Sequence, residues 1–370
     1  MNNNNFGDSR LVSPKTLEEK KDNFTLERVV ELSDTLAKKV ENAINEIETF
    51  NGQTHMIAIN ARIEASKAGQ AGKAFAVVAE QMNELSTKIG NVNKKMKRES
   101  KDAITELGDI IKIQATNVRG TRLSDLALTN IDLIDRNLYE RTADVRWWAT
   151  DINVVDAVTT QSKEEYTTVS NRFNAILNAY TVYHDLILCD TDGNVVANGM
   201  PRKYNSIGTN HKSAKWFTSA LSTSSGKGFG FQSVHRCPLV NDQLSLVYSC
   251  TVRENGNPNG KILGILGTVF NWESLAQKIM YNIALNDSEK LHSRVCIVDD
   301  AGLVLADSDG KILEDTIEFL GKNELFDNKK GYSMTEYGGA KCCIAHASSP
   351  GYEGYSTGWH SLIIQKLDSK

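Results

Sequence analysis

From Val29 to Ile113, apolar side chains recur in steps of three, four and seven, interrupted once at "AGQAGKA", Ala68–Ala74. The first arm reads Val29, Leu36, Val40, Ala43, Ile47, Phe50, Ile57, Ala61, Ala68. The second reads Phe75, Val78, Met82, Leu85, Ile89, Val92, Met96 and continues through Ala103, Ile110 and Ile113, with Glu99 and Glu106 as polar interruptions. That spacing is the seam of a coiled coil. At a rise of about 1.5 Å per residue, each arm reaches roughly 60 Å. Two such arms, with their seams turned inward, are expected to fold back antiparallel, and Gly69 and Gly72 permit the reversal because glycine tolerates backbone angles that other residues resist. Two arms alone bury little. The expected completion is a homodimer whose hairpins form a four-helix bundle.

Further helix signal follows Gly120 and runs to about Tyr180. Then the period becomes two. "LILCDTDGNVVAN" (Leu186–Asn198) and "VCIVDDAGLVLAD" (Val295–Asp307) are strand–turn–strand units with matching Asp190/Asp299, Gly193/Gly302, Val195/Val304 and Ala197/Ala306. Each suits a hairpin with glycine where φ turns positive. After the first, a helix around Lys212–Leu221 and strands at Gly228–His235, Leu244–Val252 and Ile262–Phe270 are expected. After the second, a helix around Glu314–Lys322 and strands at Tyr332–Tyr337, Lys341–His346 and Ser361–Gln365 are expected. The class is therefore α+β. The expected organisation is a disordered tail (1–25), a helical hairpin (26–120), connecting and long helices (121–180), and two sheet modules (181–290 and 291–370).

A net charge of −4 gives no electrostatic case for nucleic acid. No stretch approaches the ~20 apolar residues that span a bilayer, and "MNNNNFGDSR" lacks a signal peptide's apolar core. A cytoplasmic chain is expected. The six cysteines all lie at or beyond Cys189 without a CxxC pair, so reduced thiols are expected and no metal site. No phosphate loop, nucleophile elbow or kinase signature occurs. The chain reads as a non-enzyme without a cofactor.

The tip sequence "QTHMIAINARIEASKAGQAGKAFAVVAEQMNEL", about Gln53–Leu85, resembles the signalling hairpin of bacterial methyl-accepting chemotaxis proteins. The resemblance implies a face for a histidine kinase and an SH3-like coupling adaptor at His55, Met56, Ile59, Asn60, Ala61, Ile63, Glu64, Val77 and Gln81. It also implies a tip that gathers dimers into trimers, with Gly69 and Gly72 at the turn and Phe75, Lys67 and Gln70 at the contact. The family usually has Arg at Lys67, Glu at Gln70 and Asn at His55. Its methylation pairs find no counterpart here.

The second part resembles a double Cache sensor, a long helix followed by two PAS-like modules. The repeated strand–turn–strand, "HKSAKWFTSAL" and "GKILGILGTVFNWESL" carry the likeness. It implies a small-molecule ligand in the first module, lined by Lys215, Trp216, Phe217, His235, Tyr248 and Asn271. Amino-acid-binding members have Arg and Asp where Ala214 and Asn271 stand, so a neutral or weakly anionic ligand is expected. Trp216 and Phe217, adjacent on one helix, are expected to divide, one to the core and one to the cavity. The two resemblances together imply a soluble transducer associated with chemoreceptor arrays. The alternative is a non-signalling coiled-coil interaction protein with a ligand-dead Cache body.

Overall fold

A computed structural model of the protein describes residues 26–367. The tail expected over residues 1–25 lies outside the described residues. By its contacts the chain divides into two units, Met1–Arg119 and Gly120–Lys370.

The first unit is a hairpin of α1 (Leu26–Lys67), a 3₁₀ turn (Gly69–Gly72) and the opening part of α2 (Lys73–Trp148). Gly69 takes φ +59°, the left-handed region. A Cβ on Gly72 would sit 2.1 Å from the Ala65 carbonyl oxygen, so only glycine fits the turn. The arms do not meet along the large apolar seam. The buried register is Ile44, Ala58, Ala65, Gly72, Ala79, Ser86 and Asn93, spaced by sevens and fourteens. Hydrogen bonds fix it: Ser86 Oγ donates to Asn51 Oδ1 at 2.9 Å, and Asn93 Nδ2 to the Ile44 carbonyl at 3.1 Å. Small side chains let two helices approach closely. The larger ones stay on the outside, with Phe75 73% exposed, Phe50 64%, Val78 59% and Val92 65%. The expectation that folding back would turn the seam inward is therefore corrected.

In the second unit α2 continues unbroken through Gly120, where a Cβ would come 2.3 Å from the Tyr332 ring. A separate connecting helix starting there is not seen. Then come α3 (Ile152–Thr160, capped by Asp151) and α4 (Lys163–Ala179, capped by Ser162).

Two antiparallel five-stranded sheets follow. The first holds β1 (Tyr183–Asp190), β2 (Val195–Asn198), β3 (Gly230–Cys237), β4 (Gln243–Arg253) and β5 (Ile262–Asn271), with α5 (Lys215–Leu221) on one face. Helices α6 (Trp272–Tyr281) and α7 (Asp287–Leu291) lead to the second sheet. That sheet holds β6 (Ser293–Val298), β7 (Val304–Asp307), β8 (Lys330–Tyr337), β9 (Ala340–Ser348) and β10 (His360–Lys366), with α8 (Lys322–Phe326). The strand orders are β2-β1-β5-β4-β3 and β7-β6-β10-β9-β8, one plan used twice.

The helix expected at Glu314–Lys322 forms later, at α8. Residues 311–321 instead run beside β7: Leu313 N donates to the Val304 carbonyl, Val304 N to the Asp315 carbonyl, and Leu303 bridges Thr316. β7 is an edge strand, and its unpaired backbone groups recruit this segment before a helix can form.

Alternation divides the core. On the inner face of the first sheet, Leu186, Leu188, Leu246, Tyr248, Leu266 and Phe270 join Leu123–Trp148 of α2 and the apolar sides of α3 and α4. Val295, Ile297, Ala345 and Ile363 of the second sheet enter the same core. Each outer face carries a smaller cluster of its own.

Candidate functional site

The outer face of the first sheet is where the sequence expects a ligand. Trp216 and Phe217 both bury there, at 2% and 0% exposure, against Ile187, Tyr204, Val240 and Val247. The expected division of the two rings is corrected: on a helix this short, laid flat on the sheet, adjacent side chains both reach the core. Gly267 lies beneath Trp216, where a Cβ would be 3.2 Å from the indole. Trp216 N donates to Gln232 Oε1 at 3.2 Å, and Ser249 Oγ to the Trp216 carbonyl at 2.6 Å.

Asn271 and His235 are on this face, since Ser245 on β4 pairs with both. Asn271 is the N-cap of α6, its Oδ1 accepting from Ser274 N at 3.1 Å. His235 is half-buried, with Nδ1 2.8 Å from the Ser233 carbonyl; burial lowers its pKa. Lys215 is exposed. Tyr248 does not join them. It is one residue out of phase with Val247 and Ser249, so it sits on the inner face. Its ring meets Phe231 at 5.0 Å and Phe229 at 5.9 Å, and its hydroxyl meets that of Tyr355 at 2.5 Å. The set of six is thus split across the sheet.

Two buried polar features had no sequence signal. Asp185, on the outer face of β1, is fully buried; burial pushes its carboxyl up to about 7, against the pull of backbone N–H groups of Leu186, Gly199 and Met200. In the second module, His346 Nε2 lies 2.7 Å from His360 Nδ1, and His360 Nε2 2.9 Å from Asp300 Oδ1. Phe326 stacks on His360 at 4.1 Å and on His346 at 5.0 Å. With His360 Nε2–H donating to Asp300, its Nδ1 accepts from His346 Nε2–H. That leaves His346 Nδ1 a buried lone pair without a partner. Burial, then the neighbouring imidazole, lowers His346 to about 3. Fourteen residues separate the two histidines in sequence, so only strand pairing joins them.

On the hairpin, His55, Met56, Asn60, Ala61, Ile63, Glu64, Val77 and Gln81 are exposed, and Ile59 is half-buried. Around the tip, Lys67, Gln70 and Phe75 are exposed, and Lys67 Nζ pairs with Glu64 Oε1 at 2.7 Å. Among the described residues no group of three or more His, Cys, Asp or Glu could hold a metal ion. None of the described helices is long and apolar enough to cross a membrane.

The two-sheet unit on its long helix decides the family: a model described as Cache domain matches residues 15–369. The chain belongs to the Cache domain family. Among solved structures, the sensory domain of the Campylobacter jejuni chemoreceptor Tlp3 aligns with TM-score 0.52 at 15% identity, covering 70% of this chain and 97% of that one. The Tlp3 ligand-binding domain in complex with L-valine aligns with TM-score 0.51 at 14% identity, covering 70% and 96%. These likenesses concern the fold.

Curated relatives are chemoreceptors. A putative methyl-accepting chemotaxis protein AlkN of Alcanivorax borkumensis is 30% identical over 121 residues, 31% of this chain and 18% of that protein. Probable chemoreceptor y4sI of Sinorhizobium fredii is 34% identical over 90 residues, 24% of this chain and 10% of that protein. The chain spans less than a fifth of the length of these relatives. In this Cache unit, Ala214 N-caps α5 without a side-chain hydrogen bond.

Proposed function

We propose that the chain is a sensory transducer: its Cache unit takes up a small molecule, and its hairpin conveys the state to a chemotaxis histidine kinase through an SH3-like coupling adaptor. One observation carries the reading. The same chain holds a Cache unit and a hairpin that buries its small side chains internally while leaving the large apolar ones outside, available to another chain. Its relatives among chemoreceptors support it. In this reading the outer stripe pairs in a homodimer and Phe75 at the tip gathers dimers into trimers. The exposed residues from His55 to Gln81 face the adaptor and kinase. A ligand shifts the two states of such a device only by its differential affinity for them.

The test is a phosphorylation assay with kinase, adaptor and the full chain, alongside light scattering. The dimer is the expected species at micromolar concentration; a stable monomer rejects it. Ile59→Asp and Glu64→Ala are each expected to weaken adaptor binding about tenfold with helicity unchanged. Parent-like binding by both variants rejects the adaptor face.

A second reading has its own support. Tyr204, Trp216, Phe217, Leu239 and Val240 fill the outer face of the first sheet, as in a Cache body kept for association alone. No response of kinase activity to any small molecule, with adaptor binding intact, favours that reading.

A further inference from the structure

The connection between β9 and β10, Ser349–Trp359, is a strap that leaves the second sheet and is tied to α2. Asp135 on α2 holds it. This fully buried carboxylate accepts from Ser349 Oγ at 2.5 Å, Gly351 N at 2.8 Å, Thr357 Oγ1 at 2.8 Å and Thr357 N at 3.3 Å. Next to it, the Arg136 guanidinium lies 4.6 Å from the Tyr352 ring centre, and Tyr139 meets that ring edge-on at 5.3 Å. Further on, Tyr355 reaches the inner face of the first sheet through the Tyr248 hydroxyl.

A cavity of about 510 Å³ lies elsewhere, where the β3–β4 turn, α6 and the segment after β7 meet. The cavity beside the strap is about 430 Å³ and has the more specific lining. Tyr139, Phe229, Phe231 and Tyr355 wall it, all half-buried, and Arg146 lies among them. Flat rings with one side unsealed favour another ring in stacked or edge-on contact.

Arg146 is the charged residue that α2 contributes to this lining, and it is half-buried. Its Nε donates to the Thr142 carbonyl at 2.7 Å. Its terminal nitrogens make only long contacts, 3.3 Å to Thr142 Oγ1 and 3.4 Å to the Lys227 carbonyl. Among the described residues it has no carboxylate partner in an ion pair. A guanidinium fork with unclaimed N–H groups, between aromatic walls, matches a carboxylate attached to a ring. Glu353 also borders the cavity, but it is exposed, where screening weakens its opposition to an anion.

We propose that this cavity binds a small aromatic carboxylate, with its ring against Phe229, Phe231 and Tyr139 and its carboxylate on Arg146. The proposal rests on the reading that the Cache unit takes up a small molecule. It places that molecule on the face of the first sheet opposite Trp216. Because Tyr355 forms one wall, the ligand favours the seated position of the strap, and the second sheet is thereby coupled to occupancy.

Calorimetric titration of the full chain with 4-hydroxybenzoate and with neutral 4-hydroxybenzamide tests it. The acid is expected to bind, and the amide at least roughly tenfold more weakly, because the charge-assisted bonds are gone. Arg146→Gln is expected to weaken the acid by a similar factor. Arg146→Lys, which keeps the charge without the fork, should fall between, and unchanged melting temperatures exclude misfolding. No binding of the acid at millimolar concentration overturns the site. So does equal binding of acid and amide, or binding lost in Asn271→Ala and kept in Arg146→Gln. Failure of kinase control in the phosphorylation assay bears instead on the transducer reading, so the two failures are distinguishable.

Discussion

The two sheet modules share one plan and differ in what covers it. Both run in the same strand order, and both bulge at the same place in their first strand, between Leu188 and Cys189 and between Ile297 and Val298. In both turns an aspartate side chain accepts from the residue four on, Asp190 from Asn194 N and Asp299 from Leu303 N, with Gly193 and Gly302 at φ +86° and +90°. The outer faces diverge. The first is covered by α5 with two fully buried aromatic rings; the second has the short α8 and a histidine pair under Phe326. The last loops diverge too. Glu254–Lys261 closes through Glu254 N and the Lys261 carbonyl and accepts one bond from Gly226 N at the Pro258 carbonyl, while Ser349–Trp359 is tied to α2 through Asp135. A duplicated scaffold conserves its backbone turns, and its cover and loops are free to acquire separate roles.

The strongest way to break this comparison is to remove each cover. Trp216→Ala is expected to destabilise the Cache unit by about 4 kcal/mol, the usual range for a large aromatic in a closed core. Phe326→Ala, at a half-buried stack, is expected to lose about 1–2 kcal/mol. Urea denaturation measures both, and equal losses would erase the difference in cover.

The loops come next. Asp135→Ala removes the fully buried acceptor of four hydrogen bonds and is expected to lose about 3 kcal/mol. Asn257→Ala in the first module's loop removes one exposed bond to Asn259 N, and less than about 1 kcal/mol is expected. Comparable losses would mean that the strap is no better anchored than its counterpart.

The titrations have opposite signs. Asp185, raised to about 7, contributes stability that is complete below its unfolded value near 4 and is lost as pH climbs through 7. His346, lowered to about 3, contributes stability present above about 6.5 and lost as pH falls toward 3. Melting curves from pH 4 to 8 should therefore show Asp185→Asn gaining on the parent at the alkaline end. His346→Gln should flatten the acid limb. Matching slopes in parent and variants would remove either group from the pH response.

Much of this was legible in the chain. The period of seven located the hairpin, and the period of two with Asp190/Asp299 and Gly193/Gly302 exposed the duplication. The arms' inner register is not legible there, because Ala58, Ala65, Ala79, Ser86 and Asn93 are small or polar and leave no apolar period in the chain. Tyr248 belongs by residue type with the expected ligand lining, but strand alternation against Val247 puts it on the inner face.

By itself the sequence determined the α+β class, the reversal at Gly69 and Gly72 and the repeated hairpin, because backbone preference and hydrophobic period are local properties. Only the tertiary structure decided which stripe of the coiled coil is buried within the chain. It alone brought His346 to His360, seated Ser349–Trp359 on Asp135 and put Arg146 in one cavity lining with four aromatic residues. Those arrangements join residues from 14 to more than 200 positions apart, and no local pattern encodes which distant donor will face which acceptor once the sheets have packed on their helix.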